Sequence, residues 1–220
     1  MKRIALFSDI MGIWIFKDEK AYKKLTTSFF KKHKINLKLI EKIEKEIFPN
    51  LAKEARKGKL KYREVIEKCF EAVYPKNYKK LAKEYIEFEF KNLKKYIKLY
   101  KHSKLVLQKL KKIGIELIGI RDSVYSVREA KRILKILKIE KYFKRMYTSN
   151  SCKMEKPELF KIFKNRKNKI FLGHDTDELI GAKKYGFITI GLKNRNADYY
   201  ISSIKQLPEV IKLLKGEQNL

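Results

Sequence analysis

The chain opens with a short apolar run, residues 3–8, that ends in Asp9, and the next strand-like run does not arrive until residue 115. A strand apolar along its whole length belongs inside a covered parallel sheet, and this one reads as delivering a carboxylate at its carboxyl end. Between the two, from about residue 18 to 112, apolar side chains recur at three- and four-residue steps. Ile40, Ile43, Ile47 and Leu51 form one series, Leu60, Ile66, Cys69, Phe70 and Val73 a second, and Leu81, Tyr85, Phe88, Leu93 and Ile97 a third. That spacing predicts a helical bundle. Pro49 and Pro75 fall where its helices should break, and Gly58 marks a turn.

Beyond residue 115 the rhythm changes to alternation. Strands are expected at 115–120, 142–148, 169–172, 187–190 and 199–201, and helices at 127–137, 157–163, 177–185 and from near Pro208. The expected architecture is therefore α/β: a doubly wound parallel-sheet core of residues 1–14 and 101–220, interrupted by an α-helical domain at 15–100. Ligands of such sheets bind past the carboxyl ends of the strands. Four loops then matter: 8–14, 121–126, 149–156 and 173–178.

With 220 residues the chain can bury its own core. Lys and Arg number 55 against 25 Asp and Glu, a net charge of +30. A polyanion partner would use such an excess by releasing counterions. The alternative is compositional, because Lys, Ile, Asn and Tyr are all abundant and the cations are scattered, without the localised footprint of a nucleic-acid module. Cys69 and Cys152 suggest neither a disulfide framework nor a zinc site, which suits a reducing compartment. Only four apolar residues precede Ser8, and no run approaches the roughly 20 that a membrane helix needs. A cytoplasmic location is expected.

The four loops carry a set of motifs in register. The first is Phe7-Ser8-Asp9-Ile10-Met11-Gly12, the second Ile120-Arg121-Asp122-Ser123, the third Glu155-Lys156-Pro157 and the fourth Gly173-His174-Asp175-Thr176-Asp177-Glu178. Together with the helical insertion after the first strand, they resemble the haloacid dehalogenase superfamily, whose motifs are Asp-x-Asp-Gly-Thr, a strand ending in Ser or Thr, a Lys usually followed by Pro, and Gly-Asp-x-x-x-Asp. The resemblance implies a Rossmann-like core with a helical cap that selects the substrate. It casts Asp9 as a nucleophile forming a covalent intermediate and Lys156 as the cation that keeps it ionised.

The departures are specific. Met11 stands where phosphatases of that family carry a second Asp to protonate the leaving group, and a thioether cannot do that work. Arg121 takes the hydroxyl position, where a guanidinium could bind an anion or pair with Asp9; a loop shifted by two residues would put Ser123 there instead. The resemblance further implies substrate contacts from Arg121, Asp122, Ser123, Met11 and Gly12. It implies magnesium held by Asp9, the Met11 carbonyl and the His174 position, with Asp175 or Glu178 substituting because imidazole is a poor magnesium ligand. Against a metal, Asp175 and Glu178 have an ordinary use at the start of a helix. His33 and His102 are expected to face solvent, and the aromatics of the insertion to form its core.

Two functions follow. One is a hydrolase using Asp9 covalently on a small anionic substrate, a phosphate ester, a phosphonate or a haloacid. The other is an inactive relative serving as a basic binding module for nucleic acid or an acidic protein. The sequence is silent on oligomeric state.

Overall fold

The computed structural model describes residues 4–217, so the outer ends of the expected core, 1–3 and 218–220, lie outside the described residues. Strand β1 (Ala5–Asp9) leads into a three-residue strand β2 (Ile15–Lys17) and then into the helices α1 (Glu19–Lys32), α2 (Leu37–Lys42), α3 (Phe48–Arg56), α4 (Tyr62–Glu71) and α5 (Tyr78–Tyr96). Strand β3 (Ile97–Leu99) brings the chain back. The core continues with α6 (Ser103–Lys112), β4 (Glu116–Arg121), α7 (Val127–Ile136), β5 (Arg145–Thr148), the single turn α8 (Ser149–Cys152), a 3-10 helix (Glu158–Phe163), β6 (Lys169–Gly173), α9 (Thr176–Lys184), β7 (Ile188–Leu192), β8 (Tyr199–Ile201) and α10 (Leu207–Glu217).

The six core strands form one parallel sheet in the order β5-β4-β1-β6-β7-β8. Every residue of β1 is buried, because both faces of the sheet are covered. Phe7, Ile118, Ile120 and Phe171 point to one side, where Phe160, Phe163, Leu179 and Phe187 meet them. Leu6, Leu117, Ile170 and Leu172 point to the other, onto Leu107, Leu110, Ile133, Ile211 and Leu214. The alternation along each strand thus supplies two separate apolar layers. Since β4 and β6 lie on opposite sides of β1, the chain reverses its direction of winding there, and a crevice opens at the carboxyl end of β1.

One expectation is corrected. Pro49 does not break the bundle: Ile43–Ile47 winds as a π-turn between α2 and α3, and Pro49 sits in the first turn of α3. The wider turn shifts the hydrogen-bond ladder where the proline cannot donate and where its ring would crowd the preceding turn. The helix expected at 157–163 is present over Glu158–Phe163, wound as a 3-10 helix with Pro157 as its N-cap. Pro75 does fall in a break, between α4 and α5.

The insertion joins the core through a neck. β2 and β3 pair antiparallel, with Ile15 opposite Leu99 and Lys17 opposite Ile97. Trp14, fully buried at its base, donates from Nε1 to Ser8 Oγ at 2.7 Å, and its carbonyl accepts from the Tyr100 amide and the Ser103 hydroxyl. A second tie lies opposite, where Asn150 of α8 donates to the carbonyls of Ala55 and Leu60 at 2.7 and 2.8 Å. Gly58, in the turn those carbonyls flank, has φ +74°, and a Cβ there would meet Lys153 Cγ at 2.5 Å. No helix among the described residues is long and apolar enough to cross a membrane.

Replacing Asn150 by Ala removes both donors from carbonyls at the junction of insertion and core. The expected cost is about 1–3 kcal/mol in a urea titration, with faster limited proteolysis at 57–61 than in the parent protein.

Candidate active site

Strand register brings the motif residues together. Asp9 is level with Ile120 of β4, and Ser8 with Leu172 of β6, so Arg121 and Gly173 begin the loops on its two sides and His174 follows. Lys156, 147 residues away in sequence, places its Nζ 3.0 Å from Asp9 Oδ1 and 2.8 Å from Glu178 Oε1. Its side chain is only 3% exposed. The Ile10 amide also donates to Asp9 Oδ1, at 2.8 Å.

These partners set the charges. Burial pushes the Asp9 carboxyl up, but the Lys156 ammonium, hydrogen bonds from His174 and Lys156 and the Ile10 amide outweigh it and hold Asp9 below the usual carboxylate range. Burial likewise works against the Lys156 cation, and Asp9 and Glu178 overcome it, raising Lys156. Glu178 is the loser in the sharing: burial and the nearby Asp9 lift it to about 7 in spite of Lys156, and its Oε2 is buried without a hydrogen-bond partner among the described residues. One ammonium serves two carboxylates, and Asp9 is the one that stays ionised.

His174 occupies the other side of Asp9. Its Nε2 lies 3.1 Å from the Met11 carbonyl oxygen and 3.4 Å from Asp9 Oδ2. The hydrogen bond with Asp9 leads the influences that raise the imidazole above its ordinary value, with burial opposing. Gly12 makes room for the ring: it has φ +78°, and a Cβ would fall 2.1 Å from His174 Nε2. Asn194 fixes the loop by donating to the His174 carbonyl and to Thr176 Oγ1, both at 3.0 Å.

This arrangement does not fit magnesium. Of the groups that the resemblance assigns to the metal, the Met11 carbonyl and one oxygen of Asp9, Oδ2, are spanned by one ring nitrogen at 3.1 and 3.4 Å. Asp175 is used as the cap of α9, accepting from the amides of Asp177 and Glu178, and Glu178 turns to Lys156. Among the described residues no group of three or more His, Cys, Asp or Glu side chains is disposed to hold a metal ion.

The second loop is resolved in register. Arg121 lies beside the cleft but pairs with no carboxylate among the described residues; its guanidinium packs 5.2 Å from the Tyr125 ring centroid. Asp9 therefore takes its cations from Lys156 and His174. Ser123 spends its hydroxyl on the Tyr125 amide at 3.0 Å. Asp122 accepts from Ser149 and lies 3.4 Å from Arg56 Nε of the insertion, so it belongs to the junction rather than the cleft. His33 is corrected too: it packs on Phe29, ring centroids 4.3 Å apart, and lies 3.6 Å from Glu84.

Met11 and Arg121 open into a cavity of about 530 Å³ that runs up into the insertion. Glu89 lines it, buried, accepting a hydrogen bond from Tyr62. Glu89 went unnoticed in the sequence, although an acid within the apolar stripe Leu81, Tyr85, Leu93 and Tyr96 of α5 is the signal that finds it. Asn194 and Asn150 carried no such signal.

A family model described as haloacid dehalogenase-like hydrolase matches residues 17–192. Among solved structures, a 2-haloacid dehalogenase from Pseudomonas syringae pv. Tomato is similar, with 17% identity and a TM-score of 0.71 over 96% of this chain and 99% of that one. YfnB from Bacillus subtilis, bound to magnesium, has 17% identity and a TM-score of 0.67 over 96% and 100%. A predicted phosphoglycolate phosphatase from Haemophilus somnus has 13% identity and a TM-score of 0.61 over 96% and 99%. No curated protein matches.

Two outcomes are expected. In calorimetry with magnesium alone, the protein gives no saturable heat, whereas His174→Asp, which exchanges the ring for oxygen donors beside Asp9 Oδ2 and Met11 O, acquires it. Burial, ahead of its hydrogen bonds and nearby cations, raises the Glu89 carboxyl from 4.5 to about 7. Between those values the native state keeps a proton that the unfolded chain has lost, so this contribution to stability falls as pH rises through that window. Glu89→Gln should therefore gain on the parent by up to about 3 kcal/mol in denaturation at pH 8 and nothing at pH 4.

Proposed function

Because the chain belongs to the haloacid dehalogenase-like hydrolase family, we propose that it hydrolyses a small anionic substrate through a covalent ester on Asp9, and that the leaving group departs without a proton. The observation that carries this reading is the asymmetric setting of the Asp9 carboxylate. Oδ1 is held by Lys156 and the Ile10 amide, at 3.0 and 2.8 Å, while Oδ2 has only the longer contact with His174. An ionised carboxylate fixed by one oxygen presents the other as a nucleophile.

Met11 narrows the substrate. Its side chain lies in the cavity wall where an acid would be needed to protonate an alkoxide. A carbon–halogen bond makes no such demand. Asp9 Oδ2 attacks the carbon, the halide leaves with the bonding electrons, and water then adds to the ester carbonyl, returning the Asp9 carboxylate and releasing a hydroxylated product and a proton. Arg121, which pairs with no carboxylate among the described residues, supplies the cation that holds a substrate carboxylate. Lys156 and His174 keep Asp9 ionised between turnovers. The protein's own residues perform each of these roles, and the one partner the reading calls for is the small anion.

Halide release from 2-haloacids, and phosphate release from phosphate esters and phosphonates, should be measured with and without magnesium. The expected result is halide release unaffected by a chelator and abolished in Asp9→Asn, with a fall of at least about a hundredfold in Lys156→Met as the stabilising cation is lost. Turnover that survives Asp9→Asn ends the covalent scheme.

A further inference from the structure

The cavity beyond Met11 and Arg121 is far larger than a halogenated two- or three-carbon acid requires, and its chemistry is one-sided. Ile40, Ile43, Phe48, Ile66 and Phe70 supply its apolar wall. Five tyrosines line it as well: Tyr22 and Tyr85 bond to each other at 2.9 Å, Tyr62 donates to Glu89 Oε2, Tyr96 reaches the Glu89 carbonyl at 3.5 Å, and Tyr125 packs its ring against those of Tyr62 and Phe90. Lys17, at the rim, is taken up by Glu19 at 3.0 Å and by the Tyr22 ring at 3.5 Å. In the interior two polar side chains are left for a ligand, the Arg121 guanidinium and the buried Glu89 carboxyl, whose Oε2 accepts from Tyr62; the exposed Lys23 and Glu44 line the edge.

We propose that this chamber receives the non-reacting part of the substrate, and that the substrate is an amphiphilic acid. Its carboxylate lies against Arg121, its aromatic or alkyl body fills the chamber, and one hydroxyl or amino group on that body donates to Glu89 Oε1. The proposal rests on the reading of Asp9 as the nucleophile beside Arg121, which fixes the end of the chamber where the acid head sits. The apolar walls disfavour a sugar-like body, because a polyol would give up several hydrogen bonds to water and find few partners in the interior of the chamber. They favour a ligand that removes apolar surface from water. The lone Glu89 oxygen then discriminates between bodies of similar size, since leaving it unpaired under a fully apolar ligand is costly.

Binding needs no turnover, so the test uses calorimetry on Asp9→Asn with halogen-free straight-chain carboxylates from acetate to octanoate, the same acids carrying a terminal hydroxyl or amino group, and gluconate. Affinity should rise by about three- to fourfold per methylene until the chamber is filled. One terminally substituted acid, the length that reaches Glu89, should bind about tenfold better than its plain counterpart. Gluconate should not bind. Ile66→Trp, which fills the chamber, should flatten the chain-length dependence. Glu89→Gln should remove most of the preference for the amino-terminated acid. Affinity independent of chain length, gluconate binding as well as octanoate, a length dependence that persists in Ile66→Trp, or no binding by any acid would each overturn the proposal. Should Ile66→Trp not fold, the chain-length series and Glu89→Gln decide the matter. Chain-length dependence in a protein that releases no halide would leave the chamber assignment standing and remove the covalent reading. Halide release from haloacetate with no dependence on chain length would do the reverse.

Discussion

The arrangement of the cleft depends on one buried ammonium shared by two carboxylates. Lys156 is nearly sealed from water and lies 3.0 and 2.8 Å from Asp9 and Glu178. Stripping hydration from a cation is expensive, and only close opposite charges repay it. The loop carrying Lys156 must therefore meet the end of β1 and the first turn of α9 at the same point. Asp9 receives further help from an amide and from His174, so it holds its charge. Glu178 receives none, keeps an orphaned oxygen and rises to about 7. The competition leaves a single well-supported anion facing the cleft.

His174 extends the same economy of charge. The ring bridges a carbonyl oxygen and a carboxylate oxygen that, in a metal-using relative, would face a divalent ion. It does so only because residue 12 lacks a side chain. Above this polar floor the environment reverses, and the chamber in the insertion offers ring faces and aliphatic carbon. Two media of opposite character thus meet at Met11 and Arg121.

The α/β core was legible because the central strands β1 and β6 are buried along their whole length and most strand runs are separated by a helix with its own periodicity. Tyr199–Ile201 was located to the residue and the other strands to within about three. The meeting of Asp9 with Lys156 was legible through motif order, although nothing in the composition of either loop reveals it. What escaped notice depended on contacts between distant elements. Asp122 looked like a cleft residue until Arg56, in another part of the fold, took it. Pro49 looked like a break because the π-turn that accommodates it has no residue signature. β2 and β3 are three residues each, too short for alternation to stand out. The Tyr hydroxyls of the insertion, counted with the bundle core, instead neutralise one another around an open space.

The paired neck bears on how such a protein is assembled. Ile15 and Leu99 sit opposite each other in an antiparallel ladder, so the outgoing and incoming backbones run about 5 Å apart. Some eighty intervening residues hang from the Rossmann-like scaffold as a closed loop whose two ends already coincide, and the sheet beneath need not deform to admit them. The insertion's remaining ties to the core, Asn150 to the Ala55 and Leu60 carbonyls and Arg56 to Asp122 and Glu155, then fix its orientation rather than its point of attachment.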